Sequence, residues 1–549
     1  MSVVTATVVN ARSGRLDDLY PIVAINVWRE VNRIPHASLV LLDGDAALRQ
    51  FALSDTAFFA PGEDIEIKLR LEGEPDAKDT TVFKGKVIRH AVEASVRGSQ
   101  LRVELKDAAV KLTQGRRSQV FRDQTDADLT GKLVSEAGLR KGRMAATPAR
   151  HAEIVQYQCS DWDFIVARAD ANGLLAVVTD GSLALRAVDL SAAPKHSFDF
   201  GVTDIHDLEF ELDAGHQLPK LASNAWDLAE QKATDAVQAK AFALQQGNLS
   251  GAELADALGF GAGLLSHPVP LVAKELQAWA DARLMRSRMS LIRGRISVAG
   301  LPDLQLLDTI KIDGVGQRFN GQTAVTGLCH RVDTEGWRTD VQFGLSPRGF
   351  CQETALQEPA AAGLLPGIAG LQVGVVGAFE EDPDKQFRVK LILPGVGAAD
   401  EAVWARLAAP DAGKERGYFF RPEAGDEVVV GFFNQDPRQP VILGALYGAK
   451  NAPPADCARL DDKNLLKGIV TLRGTKILFN DADKASLTLA TAAGNQIVLD
   501  DDQRSIVITD QHGNSIKMDQ DGITLDSAKD LRLKAAGKVQ IEGATVDIK

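Results

Sequence analysis

Hydrophobic positions fall into several textures along the chain. From residue 1 to about 115, segments such as ASLVLLDG, DIEIKLRLEG, TVFKGKVIRHAV and QLRVELKD alternate or run apolar between Gly, Asp and Pro, which predicts strands. From about 116 to 205 the period lengthens. DADLTGKLVSEAGL has helical spacing with Asp128 as the expected N-cap. SDWDFIVARADANGLLAVVTDG reads as a capped helix ending near Asn172-Gly173, then a strand, with Trp162, Ile165 and Ala169 on one face. Between 219 and 292, WDLAEQKATDAVQAKAFALQQG and PLVAKELQAWADARLMRSRMSLIRG are predicted helical by propensity and period. Strands resume in GRISVAG, DTIKIDGVG, QTAVTGLCHRVD and WRTDVQFGL. The stretch EPAAAGLLPGIAG marks a boundary near 360, and a compact β-module follows to about 448.

Past that module the pattern shrinks to short segments, each with two apolar residues one apart. They are Ile497 and Leu499, Ile506 and Ile508, Ile516 and Met518, Ile523 and Leu525, Leu531 and Leu533, Val539 and Ile541, Val546 and Ile548. On a strand both members of each pair face one side. The residue between them changes from Val498 and Val507 to Lys517, Thr524, Arg532, Gln540 and Asp547, so the other side becomes wholly polar. A return every seven to ten residues leaves no room for helices. Burying an Ile or Leu gains about 1.5–3 kcal/mol, while ordering each backbone residue costs about 1–2 kcal/mol. A ribbon with one narrow stripe facing water is therefore expected to need a partner bearing the same stripe. Three copies around one axis would close a prism with no free edge along its sides. A monomeric β-solenoid, or a meander packed on another part of the chain, stays open as the alternative.

Composition narrows the function classes. Length predicts three to five domains, and 45% apolar with 25% charged residues is ordinary for a folded chain. A net charge of −12 without a basic run argues against a nucleic-acid partner. Cys159, Cys329, Cys351 and Cys457 lie far apart, which suits neither a zinc site nor a disulfide framework, and buried free thiols are expected. MSVVTATVVNARSG lacks a cationic head before an apolar core, so no signal peptide is expected. Nor does any run of eighteen apolar residues predict a membrane helix.

The order of parts resembles VgrG spike proteins and the central spike and hub of contractile phage tails. The resemblance rests on Pro422 with Gly425-Asp426-Glu427-Val428, Val430-Gly431-Phe432, Asp436-Pro437 with Pro440, and Leu443-Gly444 with Tyr447, followed by the ladder. Upstream, FAPGEDIEIKLRL, VFKGKVIRH and LRVELKDAAVKLTQGRRS are similar to a first hub barrel, and DTIKIDGVGQRFNGQTAVTGLCHRVDTEGWRTDVQFGL to a second. The implied fold is mainly β with some α. Its domains would be a first hub β-barrel at 1–115, an α/β insertion at 116–205, and a helical segment with the second hub β-barrel at 206–358. An OB-fold module at 359–450 and a trimeric intertwined β-helix, or β-prism, at 451–549 would complete it.

The resemblance implies a homotrimeric, non-enzymatic spike of a contractile injection particle, without cofactor or metal. The needle core would be Ile497, Leu499, Ile506, Ile508, Ile516, Met518, Ile523, Leu525, Leu531, Leu533, Val539, Ile541, Val546 and Ile548. The expected partners are a hexameric inner tube protein at the hub, baseplate proteins, and transiently a target membrane. Some phage needles hold iron through His-x-His pairs near the apex. VQIEGATVDIK has no histidine, so a PAAR-type tip protein is expected to dock on Val546, Asp547, Ile548 and Lys549. The chain is expected to be made in the cytoplasm and built into an extracellular particle, with a type VI apparatus or a phage tail as alternatives.

Enzymatic chemistry finds little support in the residues. Asp426 and Glu427 are adjacent, so on a strand they point to opposite faces and cannot act on one bond. About twenty residues separate the β-module from the ladder, too few for a lysozyme domain; GxSxG is absent and the nine histidines are scattered. GVGQRFNG lacks a strand–GxGxxG–helix context and reads as a turn. A peptidoglycan-degrading tail enzyme and a glycan-binding β-solenoid remain as rivals of other classes.

Overall fold

The computed structural model describes residues 4–73, 77–96, 98–354, 356, 359–395, 402–459 and 462–549. The chain divides into two compact units, residues 1–358 and 359–549. It is mainly β, with 42% strand and 12% helix. The boundary stretch EPAAAGLLPGIAG begins at Glu358 and the connector before the ladder contains Leu460 and Asp461; these three residues lie outside the described ones.

In the first unit, alternation builds two cores on one sheet. Strand Asp64–Leu71 buries Ile65, Ile67 and Leu69 and turns Glu66, Lys68 and Arg70 outward. It sits in a run with Val4–Asn10, Thr80–Ser95, Gly98–Lys106, His36–Leu42 and Ile22–Glu30 around Phe59, Phe83 and Trp337. A second lobe forms from Ile205–Leu212, Ile292–Ala299, Thr309–Asp313, Gly321–Asp333 and Gly336–Phe343 around Ile296, Val325 and Phe343. The resemblance implied two hub β-barrels; in the structure, strand pairing links the two lobes in a single 14-stranded sheet. The cause is the length of Gly321–Asp333. Its first part pairs with Thr309–Asp313, and Gly327–Val332 pairs antiparallel with Ile25–Glu30 of the other lobe.

The interposed α/β region has its own core. Helix Asp126–Glu136 is capped by Thr125, not Asp128 as the sequence suggested. The Thr125 hydroxyl accepts from the Asp128 amide while the Asp128 carboxylate accepts from the Thr125 amide, a reciprocal capping box. Helix Asp161–Ala171 buries Trp162, Ile165 and Ala169, and the chain leaves it through Asn172 and Gly173, the latter at φ 66°.

One expected helix does not form. Residues 226–247 run through the end of strand Leu221–Asp227, the short strands Lys232–Ala233 and Val237–Gln238, and an extended stretch into Gln245–Gln246. An Ala-rich helix there would bury little beyond methyl groups. Laid out extended, the segment brings Phe242 and Leu244 onto the core of the second lobe. The following helix, Ala273–Met289, forms as its propensity suggests.

The second unit opens with a closed five-stranded barrel: Gln372–Val376, Val389–Ile392, Val403–Leu407, Glu427–Phe432 and Pro440–Ala445. Val376, Leu391, Ala405, Val428, Val430 and Ile442 fill it. Pro440 lies opposite Phe432 at the start of its strand, where a missing N–H costs little. Seven more strands then form a meander in sequence order, each antiparallel to the last: Leu466–Val470, Lys476–Asn480, Ser486–Ala490, Gln496–Asp500, Ser505–Thr509, Ser515–Asp519 and Gly522–Asp526.

Candidate functional site

The register of this meander turns the repeated apolar pairs into two continuous columns. Ile497 lies opposite Ile508 and Leu499 opposite Ile506; Ile508 faces Ile516 and Ile506 faces Met518; Ile516 faces Leu525 and Met518 faces Ile523. Neighbouring strands lie about 4.8 Å apart, so each column is an unbroken line of side chains. Turns of two to five residues keep the register. In the turn at 510–514, the Asp510 carboxylate accepts from the backbone N–H groups of His512 and Asn514, both at 2.9 Å. Hydrogen bonds from the Asn514 side chain and backbone hold that carboxyl below its usual range. Gly513 takes φ 90° and Gly522 φ 127°, values that disfavour a side chain.

The stripe begins earlier than the sequence reading had it. Ile477 faces Ile469 and Leu489, and Phe479 faces Leu487, which in turn faces Leu499. KILFN and SLTLA carry the same one-apart spacing, and that signal would have extended the columns by two strands. One position departs from the pattern: Lys467 sits opposite Phe479 at the head of the second column.

Among the described residues of this unit, nothing covers these columns. Among the described residues, no hydrophobic side chain beyond Ile442 is buried. Ile497, Leu499, Ile506, Ile508 and Met518 are each 37–40% exposed, Ile516 is half-buried, and Leu525 and Ile523 are 52% and 72% exposed. Ile477, Leu489, Ile497, Ile508, Ile516 and Leu525 line one open trough, and Leu531 reaches its end. Behind the trough the middle residues run Leu478, Thr488, Val498, Val507, Lys517 and Thr524, mostly apolar up to Val507 and polar after it.

The expected strands past Asp526 are not formed. Leu533, Val539, Ile541, Val546 and Ile548 are described, exposed and outside any strand, as are Asp547 and Lys549. Their segments carry Arg532, Gln540 and Asp547 as middle residues, so neither face gives a single ribbon anything to pack on, and the cost of ordering the backbone stays unopposed. The structure thus brings eight of the expected core residues into two columns, adds Leu531 at their end, and leaves the last five apart. Elsewhere, the Asp426 carboxylate accepts from the Glu423 amide at 2.8 Å and closes the turn into strand Glu427–Phe432. No group of three or more His, Cys, Asp or Glu that could hold a metal occurs among the described residues. Among the described residues no helix is long and apolar enough to cross a membrane, which says nothing of strands.

Three family models match the chain. Residues 1–334 match the Alg8 N-terminal domain, and 372–447 the type VI secretion system/phage-baseplate injector OB domain. Residues 469–549 match the phage baseplate V C-terminal trimerisation domain. The actin cross-linking toxin VgrG1 of Vibrio cholerae is 33% identical over 133 residues, 23% of this chain and 12% of that protein. The type VI spike protein VgrG5 of Pseudomonas aeruginosa is 32% identical over 109 residues, 19% of this chain and 14% of that protein. The matched stretches thus cover only about one-seventh or less of these curated relatives' lengths. Among solved structures, a tail protein from Neisseria meningitidis aligns over 64% of this chain and 98% of its own, at 14% identity and a TM-score of 0.46. An E. coli type VI secretion component aligns over 80% and 99%, at 13% identity and a TM-score of 0.39.

Proposed function

This chain belongs to the family of the Alg8 N-terminal domain and is a VgrG-like spike protein, related to phage baseplate hubs, and from that premise we propose how it works. Three copies join through the ladder, and the two apolar columns of each become the dry interior of a needle. One observation carries this reading: the stripe from Ile469 to Leu525 is continuous, registered and left uncovered by the described residues of its own unit. In the trimer the last segments gain partners, so Leu533, Val539, Ile541, Val546 and Ile548 order into an intertwined β-helix that continues the needle.

The work is mechanical. The hub lobes, at two per chain, present six similar surfaces to a hexameric inner tube protein. The OB barrel links hub to needle, and the needle concentrates the force of contraction on a small area of target membrane. Val546 to Lys549 form the platform for a PAAR-type tip protein. The chain is made in the cytoplasm and acts within a released, extracellular particle. The names of the curated relatives favour the type VI apparatus as the second reading.

The test is electron microscopy of particles from cells encoding Ile508→Asp, alongside zymography of the purified chain. Particles that lack a spike, with no clearing of peptidoglycan, are expected. Normal spikes, or clearing by the chain alone, would overturn the reading.

A further inference from the structure

Two arginines near the end of helix Ala273–Met289 share a depth and differ in partners. Arg286 and Arg288 are each 7% exposed. Arg286 pairs with the Asp170 carboxylate and donates to the carbonyls of Ser346 and Arg348, both at 3.2 Å. Arg288 donates only to neutral oxygens, Gln217 Oε1 at 3.1 Å and the Leu218 carbonyl at 2.6 Å. Burial pulls its pKa down from the ordinary value, with no acid acting to restore it. A guanidinium has five donors and a full charge, so a buried one without an anion is an incomplete arrangement.

Arg288 lines a cavity of about 790 Å³, within the range of about 300–1,000 Å³ usual for ligand pockets. Leu221, Ala239, Phe242 and Leu284 give it apolar walls, Lys220 adds a second positive charge, and Glu253, at the N-terminal turn of helix Gly251–Ala257, adds one negative charge. Gly251 lies against the arginine; a Cβ there would collide with Gln217 and sit 3.0 Å from Arg288 Nη1. The same cavity is bordered by Ala241–Leu244, an extended stretch between two short strands. Its exposure alternates: Ala241 and Ala243 are exposed, Phe242 and Leu244 half-buried. Among the described residues, none of its four backbone N–H groups donates a hydrogen bond. A segment whose backbone N–H groups are free, beside a cation lacking its anion, can receive a chain terminus.

We propose that this cavity binds the C-terminal end of a partner polypeptide. The peptide adds as a strand along Ala241–Leu244, small apolar side chains fill the pocket, and the terminal carboxylate rests on Arg288. This site is independent of the needle.

The experiment is fluorescence anisotropy on the full chain with fluorescein-labelled Gly-Ala-Val-Ala-Leu bearing a free carboxylate, and with its C-terminal amide. The acid should bind, and the amide should bind about tenfold or more weakly, as for loss of a charge-assisted hydrogen bond. Arg288→Gln should weaken the acid to the level of the amide, and Ala243→Pro, which removes one edge N–H, should weaken both. Should Arg288→Gln fail to fold, the acid–amide comparison on the unaltered chain still decides. Failure of the acid to bind, or equal binding of acid and amide, would overturn the proposal. So would hexanoate binding as tightly as the peptide, since a free acid cannot add a strand. Binding that appears only in the Ile508→Asp chain would mean that a second copy fills the groove, and would overturn it as well.

Discussion

Strand Asp64–Leu71 and strand Gln496–Asp500 are written in the same code. DIEIKLRL places Ile65, Ile67 and Leu69 on one face; QIVLD places Ile497 and Leu499 on one face. In the first the apolar residues are at most 2% exposed, and in the second 38% and 40%. The local pattern is the same and the outcome differs, because the first strand has a facing layer within its own unit and the second has none. Alternation specifies a face; it does not specify what covers that face. In the hub the cover is intramolecular, and in the ladder we propose that it comes from other copies.

The contrast can be broken most forcibly from the ladder side. Ile508→Asp would place three carboxylates together on the proposed axis, and the expected result is loss of trimer altogether, seen by mass photometry, with the melting of the hub unchanged. On the other side, Trp337→Ala removes one of the largest fully buried side chains of the first lobe. It should cost the hub about 3–5 kcal/mol in denaturant unfolding while leaving trimer mass intact wherever the chain folds. If either substitution produced the other's effect, the division between self-covered and partner-covered regions would fail.

A smaller effect sharpens the hub side. His330 is fully buried, its Nδ1 lies 3.0 Å from the Thr339 hydroxyl, and its Nε2 has no partner. Burial, with Arg29 adding to it, pushes its pKa down to about 3. The unfolded chain, titrating near 6.5, therefore binds the proton first, so this group's contribution is whole above about pH 6.5 and is lost as pH falls towards 3. About 2 kcal/mol should disappear between pH 7 and pH 5, and a His330→Leu chain should lack that part of the slope. Smallest of all, Arg532→Ala, which the proposed needle leaves on its outer face, should stay within about ±0.5 kcal/mol of the unaltered chain. A large loss there would mean that the faces are reversed.

How much of this was legible depends on where the deciding contacts lie. The two-residue pairs from Ile497 to Leu525 were readable because strand period and register both depend on neighbouring segments. The cap of helix Asp126–Glu136 was misplaced by three residues because Thr125 and Asp128 are both good caps, and the capping box uses both. Helix propensity failed for 226–247, where Phe242 and Leu244 gain more by reaching a distant core than the segment gains by coiling. The joining of the lobes through Gly327–Val332 depends on pairing some three hundred residues apart in sequence, which no local pattern announces. The same holds for Arg288, whose isolation from any acid emerges only in three dimensions.

One measurement meets the central claim head on: the mass of the purified chain by sedimentation equilibrium, read together with amide exchange over residues 466–549. The account predicts a particle of three times the 58.9 kDa chain mass, with the ladder amides protected only in that particle. A stable 58.9 kDa species whose ladder is fully protected would contradict it.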